Sequence, residues 1–199
     1  MNRRRFVLST PTASIAALAL AACGERAAES PQAADAPAGR MSARDAYEAA
    51  ARASGFTVGQ MMAANTVYVF FDPACPHCAQ LWMNARPLAS KLKMVWIPVA
   101  FLRNASSGPQ GATILTAADP VAAMNEHETS ILERRGGISA SRSLPDDAMK
   151  KVEDNTALFR RTGEDSVPLI VYRNARNGQF GMLTGALSSD ELAKLVGLT

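Results

Sequence analysis

The chain has 199 residues, of which 48% are hydrophobic and 20% are charged. This composition is typical of a globular protein and excludes a disordered chain. The formal net charge of +3 comes from three arginines at residues 3–5, so the rest of the chain is neutral and lacks the basic surface that attracts nucleic acid. The three cysteines, Cys23, Cys75 and Cys78, are too few for a disulfide-rich scaffold, and their odd number leaves at least one without an intrachain partner.

Residues 1–22 have the pattern of an export signal. The apolar stretch Ile15–Ala22 follows the arginines at 3–5 and is far shorter than the ~20 residues needed to span a bilayer. Leu20-Ala21-Ala22-Cys23-Gly24 then resembles a bacterial lipobox, in which the cysteine is lipidated and becomes the mature N-terminus. A plain secretory signal with a cysteine nearby by chance is the alternative. The paired arginines also resemble a twin-arginine signal, so Sec and twin-arginine export both stay open.

The export signal and the segment after it predict where the protein resides. Both export routes lead out of the cytoplasm, where disulfide chemistry is possible. Gly24, rather than an aspartate, follows the lipobox cysteine, and by analogy with bacterial lipoproteins this predicts sorting to the outer membrane. Residues 23–40 are rich in Ala, Pro, Glu and Gly, which predicts a flexible tether. We therefore expect a periplasmic protein anchored to the outer membrane through a lipid on Cys23.

From residue 41 the chain alternates helix-like and strand-like segments. An N-terminal helical segment at 41–64 contains an alanine-rich helix over 42–53, which Gly55 ends. The β-branched and aromatic run Thr66–Phe71 predicts a strand covered on both faces, and a second helix begins after it at Pro76. The apolar face of that helix comprises Cys78, Leu81, Trp82, Ala85, Ala89 and Leu92, with a kink expected at Pro87.

A helical insertion at about 103–163 follows a second buried strand, Met94–Val99. Pro98 places this strand near a sheet edge or a bulge. The insertion is predicted to comprise a loop at 103–111 and three helices, at about 111–118, from Asp119-Pro120 to Gly136-Gly137, and from a cap at Ser143 to Gly163. The main face of the middle helix comprises Val121, Met124, Glu128, Ile131 and Leu132.

The end of the body predicts a hairpin and a last helix. Val167–Tyr172 has the composition of a third strand, and Asn177-Gly178 is a strong hairpin signal that leads to a fourth strand at Gln179–Thr184. Ser188 or Ser189 caps the final helix. The order of strand, helix, strand, helical block, hairpin and helix predicts an α/β sheet with a helical insertion.

Cys75-Pro76-His77-Cys78 lies between a predicted buried strand and a predicted helix. A helix N-terminus carries partial positive charge and free N–H groups, which stabilise a thiolate at Cys75. Pro76 is tolerated in the first turn, and His77 adds a donor or a positive charge that favours the same thiolate. Cys78 lies on the buried face within disulfide reach. We therefore expect Cys75 to be the exposed, low-pKa nucleophile and Cys78 the buried, high-pKa resolving cysteine.

Other interpretations of the motif are less favoured. A zinc site needs about four ligands, and the only other histidine, His127, lies in a surface-like Glu126-His127-Glu128 stretch where we expect it to be solvated. A c-type haem requires histidine directly after the second cysteine, where Ala79 stands. An inert buried pair is disfavoured, because a Cys-x-x-Cys motif between a strand and a helix is the arrangement that redox chemistry requires. We therefore expect no metal and no cofactor.

The residues around the motif resemble a known family. The stretch Phe70–Cys78, followed by Trp82 and Ala85-Arg86-Pro87, is similar to the catalytic domain of the periplasmic disulfide interchange proteins of the DsbC/DsbG group, and to DsbG most of all. The similarity covers residues 65–199 and implies a thioredoxin fold interrupted by the helical insertion. It continues through Ala112–Leu115 and Ala118–Pro120 to Val167-Pro168. This last dipeptide matches the one that, in the family, has a cis peptide bond, packs against the cysteines and contacts the substrate chain.

The resemblance implies an enzyme that acts on the thiols or disulfides of exported proteins. Its activity would be that of a reductase, an isomerase or a repair enzyme for sulfenic acids, with a membrane redox partner of DsbD or DsbB type. Pro76-His77 and Val167 resemble instead the oxidase DsbA, so an oxidase that donates its disulfide is one alternative. A non-catalytic binding lipoprotein with a thioredoxin fold is another. Residues 24–64 are too few for the dimerisation domain of the DsbC/DsbG group, so we expect a monomer.

Overall fold

The computed structural model describes residues 39–63, 65–102 and 105–199. The predicted export signal, Cys23 and most of the predicted tether lie outside these residues. Within the described ranges, none of the helices is long and apolar enough to cross a membrane. In chain order the elements are α1 (Ala43–Ala50), β1 (Phe56–Gly59), β2 (Thr66–Phe71), α2 (Pro76–Ala85), a 3₁₀ turn (Arg86–Leu88), β3 (Lys93–Pro98), α3 (Ser107–Thr116), α4 (Pro120–Leu132), α5 (Ala148–Thr162), β4 (Leu169–Arg173), β5 (Phe180–Thr184) and α6 (Ser189–Leu195).

The strands form one mixed sheet in the order β1-β3-β2-β4-β5. The central pair, β2 and β3, is parallel, whereas every other pair is antiparallel. The sequence did not predict β1, because its four residues between Gly55 and Gln60 are too short a run to indicate a strand. Pairing of Phe56 with Trp96 positions this strand. β1 pairs with β3 only as far as Trp96, so Pro98 lies beyond β1, near an edge as predicted.

Adjacent residues of β2 point to opposite faces of the sheet and so divide the core. Phe70 packs against Phe159 of α5, with 6.1 Å between the ring centroids. Phe71 packs on the other face against Trp96 at 5.8 Å, and Trp96 contacts Trp82 of α2 at 4.9 Å. All five rings are buried. The helix that carries the cysteine motif is therefore held against one face of the sheet by aromatic packing, and α5 covers the opposite face.

Three helices, α3 to α5, connect β3 to β4 and confirm the predicted helical insertion. Asp119 caps α4 by accepting the N–H of Ala122 at 2.9 Å. Gly163 ends α5 in the left-handed conformation, with φ of 79°, a region that favours glycine. Both boundaries agree with the sequence-based prediction.

Several helix boundaries differ from prediction. α4 ends at Leu132, before the predicted stop at Gly136-Gly137. α3 begins at Ser107, inside the predicted loop, because the Ser107 hydroxyl donates to the buried Asp72 carboxylate at 2.6 Å. α5 begins after Asp147 rather than at Ser143, since a proline at 145 disfavours helical geometry in the residue before it. α2 ends at Ala85 instead of continuing past a kink, because the proline at 87 removes a backbone donor.

Candidate functional site

The two cysteines of the motif lie at the N-terminus of α2. Cys75 is the N-cap residue, with an extended backbone, and Pro76 is the first helical residue. The Cys78 N–H donates to the Cys75 carbonyl at 3.0 Å, which closes the first turn. Both cysteines are free thiols. Pro76 and His77 are exposed beside them, whereas Cys78 is fully buried.

Val167-Pro168 lies beside Cys75, and its peptide bond is cis as predicted. The Cys75 sulfur lies 3.6 Å from the Val167 carbonyl oxygen, to which it donates when it is protonated. Cys75 is only 4% exposed, so the expectation of an exposed nucleophile is wrong for the reduced chain. The reason is that the segment before β4 covers the sulfur, which would otherwise project from the end of α2.

The surroundings of Cys75 lower the pKa of its thiol from 9.0 to about 6. The largest cause is the hydrogen bond that the Cys78 thiol donates to Cys75. Burial opposes this effect, while the backbone N–H groups of Cys78 and His77 and the charge of His77 lower the pKa further. At neutral pH Cys75 is therefore mainly a thiolate, the reactive form of cysteine.

Cys78 has the opposite shift. Burial raises the pKa of its thiol well above the usual value, and the hydrogen bond to Cys75 and the charge of Cys75 raise it further. Two cysteines of one helical turn thus differ in protonation at neutral pH, one a thiolate and the other a thiol. The directions of both shifts are those predicted from the motif.

Asp72 ties the turn before Cys75 to the start of the insertion, a role that sequence reasoning missed. The sequence of Asp72-Pro73 predicts only the end of a strand, although an acid directly after a strand buried on both faces was an available signal. The carboxylate is fully buried, and the Asp72 carbonyl accepts the Cys75 N–H at 2.9 Å. The donors to the carboxylate are the N–H groups of Ala74 at 2.9 Å, Phe101 at 2.8 Å and Leu102 at 2.8 Å, and the Ser107 hydroxyl at 2.6 Å.

His127 is fully buried, so the expectation that it is solvated is wrong. Its Nε2–H donates to the Pro73 carbonyl at 2.8 Å, and its Nδ1 accepts the Ile138 N–H at 3.2 Å. Burial lowers the pKa of His127, and the neutral ring satisfies both partners. A side chain at Gly137, where φ is 83°, would collide with this ring. His127 thus braces the active-site turn instead of facing solvent.

Glu128 is also fully buried, and neither carboxyl oxygen has a hydrogen-bond partner. Burial raises the pKa of this carboxyl well above its usual value, and the charges of Cys75 and Asp72 raise it further. The spacing from Met124 placed Glu128 on the main face of α4. It did not predict that this acid would interact with the cysteines.

The structure brings four of the predicted site residues together: Cys75, Cys78, Val167 and Pro168. Cys23 lies outside the described residues. Among the residues that the structure describes, no three His, Cys, Asp or Glu side chains are grouped so that they could hold a metal ion. The arrangement that results is a reduced cysteine pair in which both sulfurs are buried, the pKa of Cys75 is lowered and the pKa of Cys78 is raised.

Two curated relatives are similar to part of this chain. The thiol:disulfide interchange protein DsbG of Pseudomonas aeruginosa is 29% identical over 157 residues, which are 78% of this chain and 60% of that protein. DsbG of Escherichia coli is 31% identical over 121 residues, which are 60% of this chain and 48% of that protein. The chain therefore spans between 48% and 60% of the length of these curated relatives.

Structural comparison and a family model agree on the fold. The crystal structure of Proteus mirabilis ScsC in a transitional conformation has a TM-score of 0.59 and 20% identity, over 79% of this chain and 80% of that chain. This likeness shows a shared fold. The model of the thioredoxin-like domain matches residues 61–198. The predicted resemblance and the predicted fold class are confirmed, and the chain belongs to the thioredoxin-like domain family.

Proposed function

We propose that the chain is a thiol:disulfide oxidoreductase of the bacterial cell envelope. The observation that carries this proposal is the contrast within one helical turn: Cys75 has a pKa of about 6, while Cys78 is fully buried and its pKa is raised. A low-pKa thiol beside a shielded one is the arrangement that forms and then resolves a mixed disulfide. The names of the two DsbG relatives support the same chemistry.

The exchange reaction uses the two thiols in turn. The Cys75 thiolate attacks one sulfur of a substrate disulfide, the substrate S–S bond breaks, and one substrate sulfur leaves as a thiolate. Cys78 then loses its proton and attacks the Cys75 sulfur, and the second substrate thiolate leaves. The pair Cys75–Cys78 has lost two electrons and the substrate has gained two. Val167 and Pro168, next to the attacking sulfur, are proposed to contact the substrate chain.

We propose that the physiological direction is that of DsbG, as a reductase, an isomerase or a repair enzyme for sulfenic acids. In repair, the Cys75 thiolate displaces hydroxide from a substrate sulfenic acid, and Cys78 resolves the mixed disulfide. A DsbA-like oxidase is the second candidate. The pKa of Cys75, about 6, favours it, because a stabilised thiolate makes the disulfide more oxidising.

The reduction potential of the Cys75–Cys78 pair distinguishes these directions. A value near about −120 mV, with disulfide transfer to a reduced unfolded protein, supports the oxidase, whereas a value near about −270 mV supports the reductase. In a Cys23→Ser variant, the measured reduction potential comes from Cys75 and Cys78 alone. A wild-type chain that neither reduces nor forms disulfides would contradict the proposal and favour a non-catalytic binding protein.

The location and partners are proposed from the N-terminal sequence. The chain is exported, lipidated at Cys23 and held at the periplasmic side of the outer membrane, where exported proteins are its substrates. A membrane protein of DsbD type would keep it reduced, and one of DsbB type would keep it oxidised. Mass spectrometry of the mature N-terminus tests the lipid, and an unmodified Cys23 would contradict it. We also propose a monomer, which light scattering of the mature chain tests.

A further inference from the structure

The helix α4 lies against α2 in a direction that the hydrogen bonds define. Asn125 Oδ1 accepts the Trp82 Nε1–H at 3.0 Å, and two residues later His127 Nε2 donates to the Pro73 carbonyl at 2.8 Å. Trp82 lies on the second turn of α2, whereas Pro73 precedes its N-terminus. α4 therefore runs toward the cysteine end of α2. Glu128, three residues after Asn125, shares the face that meets α2 and lies toward the cysteines.

The Glu128 carboxyl is an anomaly at this position. A buried polar group normally has a hydrogen-bond partner, yet both oxygens of Glu128 lack one, and its side chain is 0% exposed. The charge of Cys75 acts on Glu128, and the charge of Glu128 acts on Cys78. α3 and β1, which also pack against α4, contain no titratable residue. The titratable groups that interact with Glu128 are Asp72, Cys75 and Cys78. His127 precedes it on its own helix, and His77, the other titratable residue of α2, is exposed.

We propose that Glu128 is the proton acceptor for the buried Cys78 thiol, and that it binds a proton when the Cys75–Cys78 disulfide is reduced and releases it on oxidation. This inference rests on the proposed exchange chemistry and adds the route of the proton. A fully buried thiol needs a proton acceptor close to it before it can attack, and Glu128 is a buried carboxyl that has no hydrogen bond to break.

The protons and electrons balance as follows. In the reduced chain Cys75 is a thiolate, Cys78 a thiol and Glu128 a neutral carboxyl. When Cys75 enters the mixed disulfide its negative charge disappears, which removes one of the causes that raise the pKa of Glu128, although burial still raises it. In the proposed sequence Glu128 ionises at this step, and its proton leaves the protein. The Glu128 carboxylate then accepts the Cys78 proton while the Cys78 sulfur attacks Cys75 and the substrate thiolate leaves. The protein sulfurs lose two electrons to the substrate, and two protons leave the protein once Glu128 ionises again.

The kinetic test uses 5,5′-dithiobis(2-nitrobenzoate) as the disulfide and the reduced full chain with Cys23→Ser. The first thionitrobenzoate released reports attack by Cys75, and the second reports resolution by Cys78. Glu128→Gln keeps the shape of the side chain but cannot accept the proton. At pH 7 we expect it to slow the second release about tenfold or more and to leave the first within about twofold. Glu126→Gln, which removes an exposed carboxylate from the same helix, should change neither.

The equilibrium test is the pH dependence of the reduction potential. At pH 7 and above Cys75 is mainly a thiolate in the reduced chain. Cys78 alone then binds one proton on reduction, and the equilibrium constant changes tenfold per pH unit, about 30 mV. With Glu128 as a second site the slope of the wild type exceeds this value over part of the range between pH 7 and 9, while Glu128→Gln keeps the one-proton slope. A merely structural role for Glu128 would not alter this slope.

The outcomes separate the two proposals. A wild type that releases no thionitrobenzoate contradicts the proposed function. A wild type that releases both equivalents, while Glu128→Gln resolves at the same rate and keeps the wild-type slope, overturns the role of Glu128 alone. Equal slowing by Glu126→Gln also overturns it. If Glu128→Gln does not fold, Glu128→Asp, which retains a carboxyl, replaces it, and the pH slope of the wild-type reduction potential becomes the test. A wild-type slope of one proton at every pH then overturns the proposal.

Discussion

The N-terminus of α2 and the middle of α4 meet at the same pair of cysteines but are specified in different ways. At α2, the proline, the histidine and the free N–H groups that act on Cys75 lie within four consecutive residues. At α4, the polar groups act on a turn that is distant in sequence; His127 bonds to Pro73 across 54 residues. Local sequence thus determines which sulfur has the lowered pKa, whereas tertiary packing determines which polar side chains are buried around the two cysteines.

The largest effects should come from the two cysteines of α2. Cys75→Ser should abolish exchange and accumulate no mixed disulfides, because the nucleophile is gone. Cys78→Ser should accumulate long-lived mixed disulfides with envelope proteins, because nothing resolves them. Non-reducing gels of each variant expressed in the envelope measure this difference. Adducts on Cys75→Ser instead of Cys78→Ser would reverse the assignment and break the contrast between the two regions.

Asp72→Asn tests the residue that joins the active-site turn to the insertion. The amide replaces a carboxylate that accepts four hydrogen bonds from residues that the structure describes. It also turns an N–H group toward other donors, which should lower the free energy of unfolding by about 3 kcal/mol. Urea denaturation of the reduced chain at pH 7 measures the change. Asp119→Asn is the matched control, because asparagine caps a helix as well as aspartate does. Equal losses in the two variants would count against the role of Asp72.

His127→Ala tests the brace from α4. The substitution leaves the Pro73 carbonyl and the Ile138 N–H without partners and opens a cavity, which should lower the free energy of unfolding by about 2 kcal/mol. Glu126→Ala, at an exposed neighbouring position, should have little effect. A loss no larger than that of the control would show that α4 does not support the turn.

His127 also gives the stability a pH dependence. Burial lowers the pKa of His127 from its usual 6.5, so the unfolded chain binds the proton first as the pH falls. The wild type should therefore lose stability as the pH falls below 6.5 through the lower pKa of the folded chain. His127→Ala should lack this component of the slope in urea titrations between pH 7 and pH 5. An identical slope in both proteins would assign it to other groups.

His77→Ala should have the smallest effect, because the charge of His77 is the last of the causes that lower the pKa of Cys75 and its side chain is exposed. The midpoint of iodoacetamide alkylation, near pH 6 in the wild type, should rise by less than about one unit. The disulfide should become less oxidising by less than about 30 mV. Lys91→Ala, which removes an exposed charge elsewhere, is the control. An unchanged or more oxidising potential would assign the thiolate to the helix end and Cys78 alone.

The features that sequence predicted are those with local causes. β2, α2 and the hairpin at Asn177-Gly178 follow from residue runs and turn chemistry, and the cis bond before Pro168 follows from the family resemblance. β1 was missed because its pairing partner, and not its own four residues, makes it a strand.

The errors concern polar residues whose burial depends on distant partners. Glu126-His127-Glu128 has the composition of a solvated stretch, although spacing from Met124 already placed Glu128 on the buried face. Only the Pro73 carbonyl and the Ile138 N–H make burial of His127 favourable. Asp72 is similar, since three of its donors come from the segment after β3 and from the start of α3. From sequence alone a polar residue is expected to be exposed, because the distant groups that bond to it in the core cannot be identified.

The donors that converge on Asp72 make the helical insertion inseparable from the strand it follows. A shortened chain that joined β3 directly to β4 would lose the Ser107 hydroxyl and His127, and the Asp72 carboxylate and Pro73 carbonyl would be less well satisfied in the core. Excision of α3 to α5 should therefore be tolerated better when position 72 is changed in the same step. The insertion is thus coupled to a single acid beside the active site and is not an independent module.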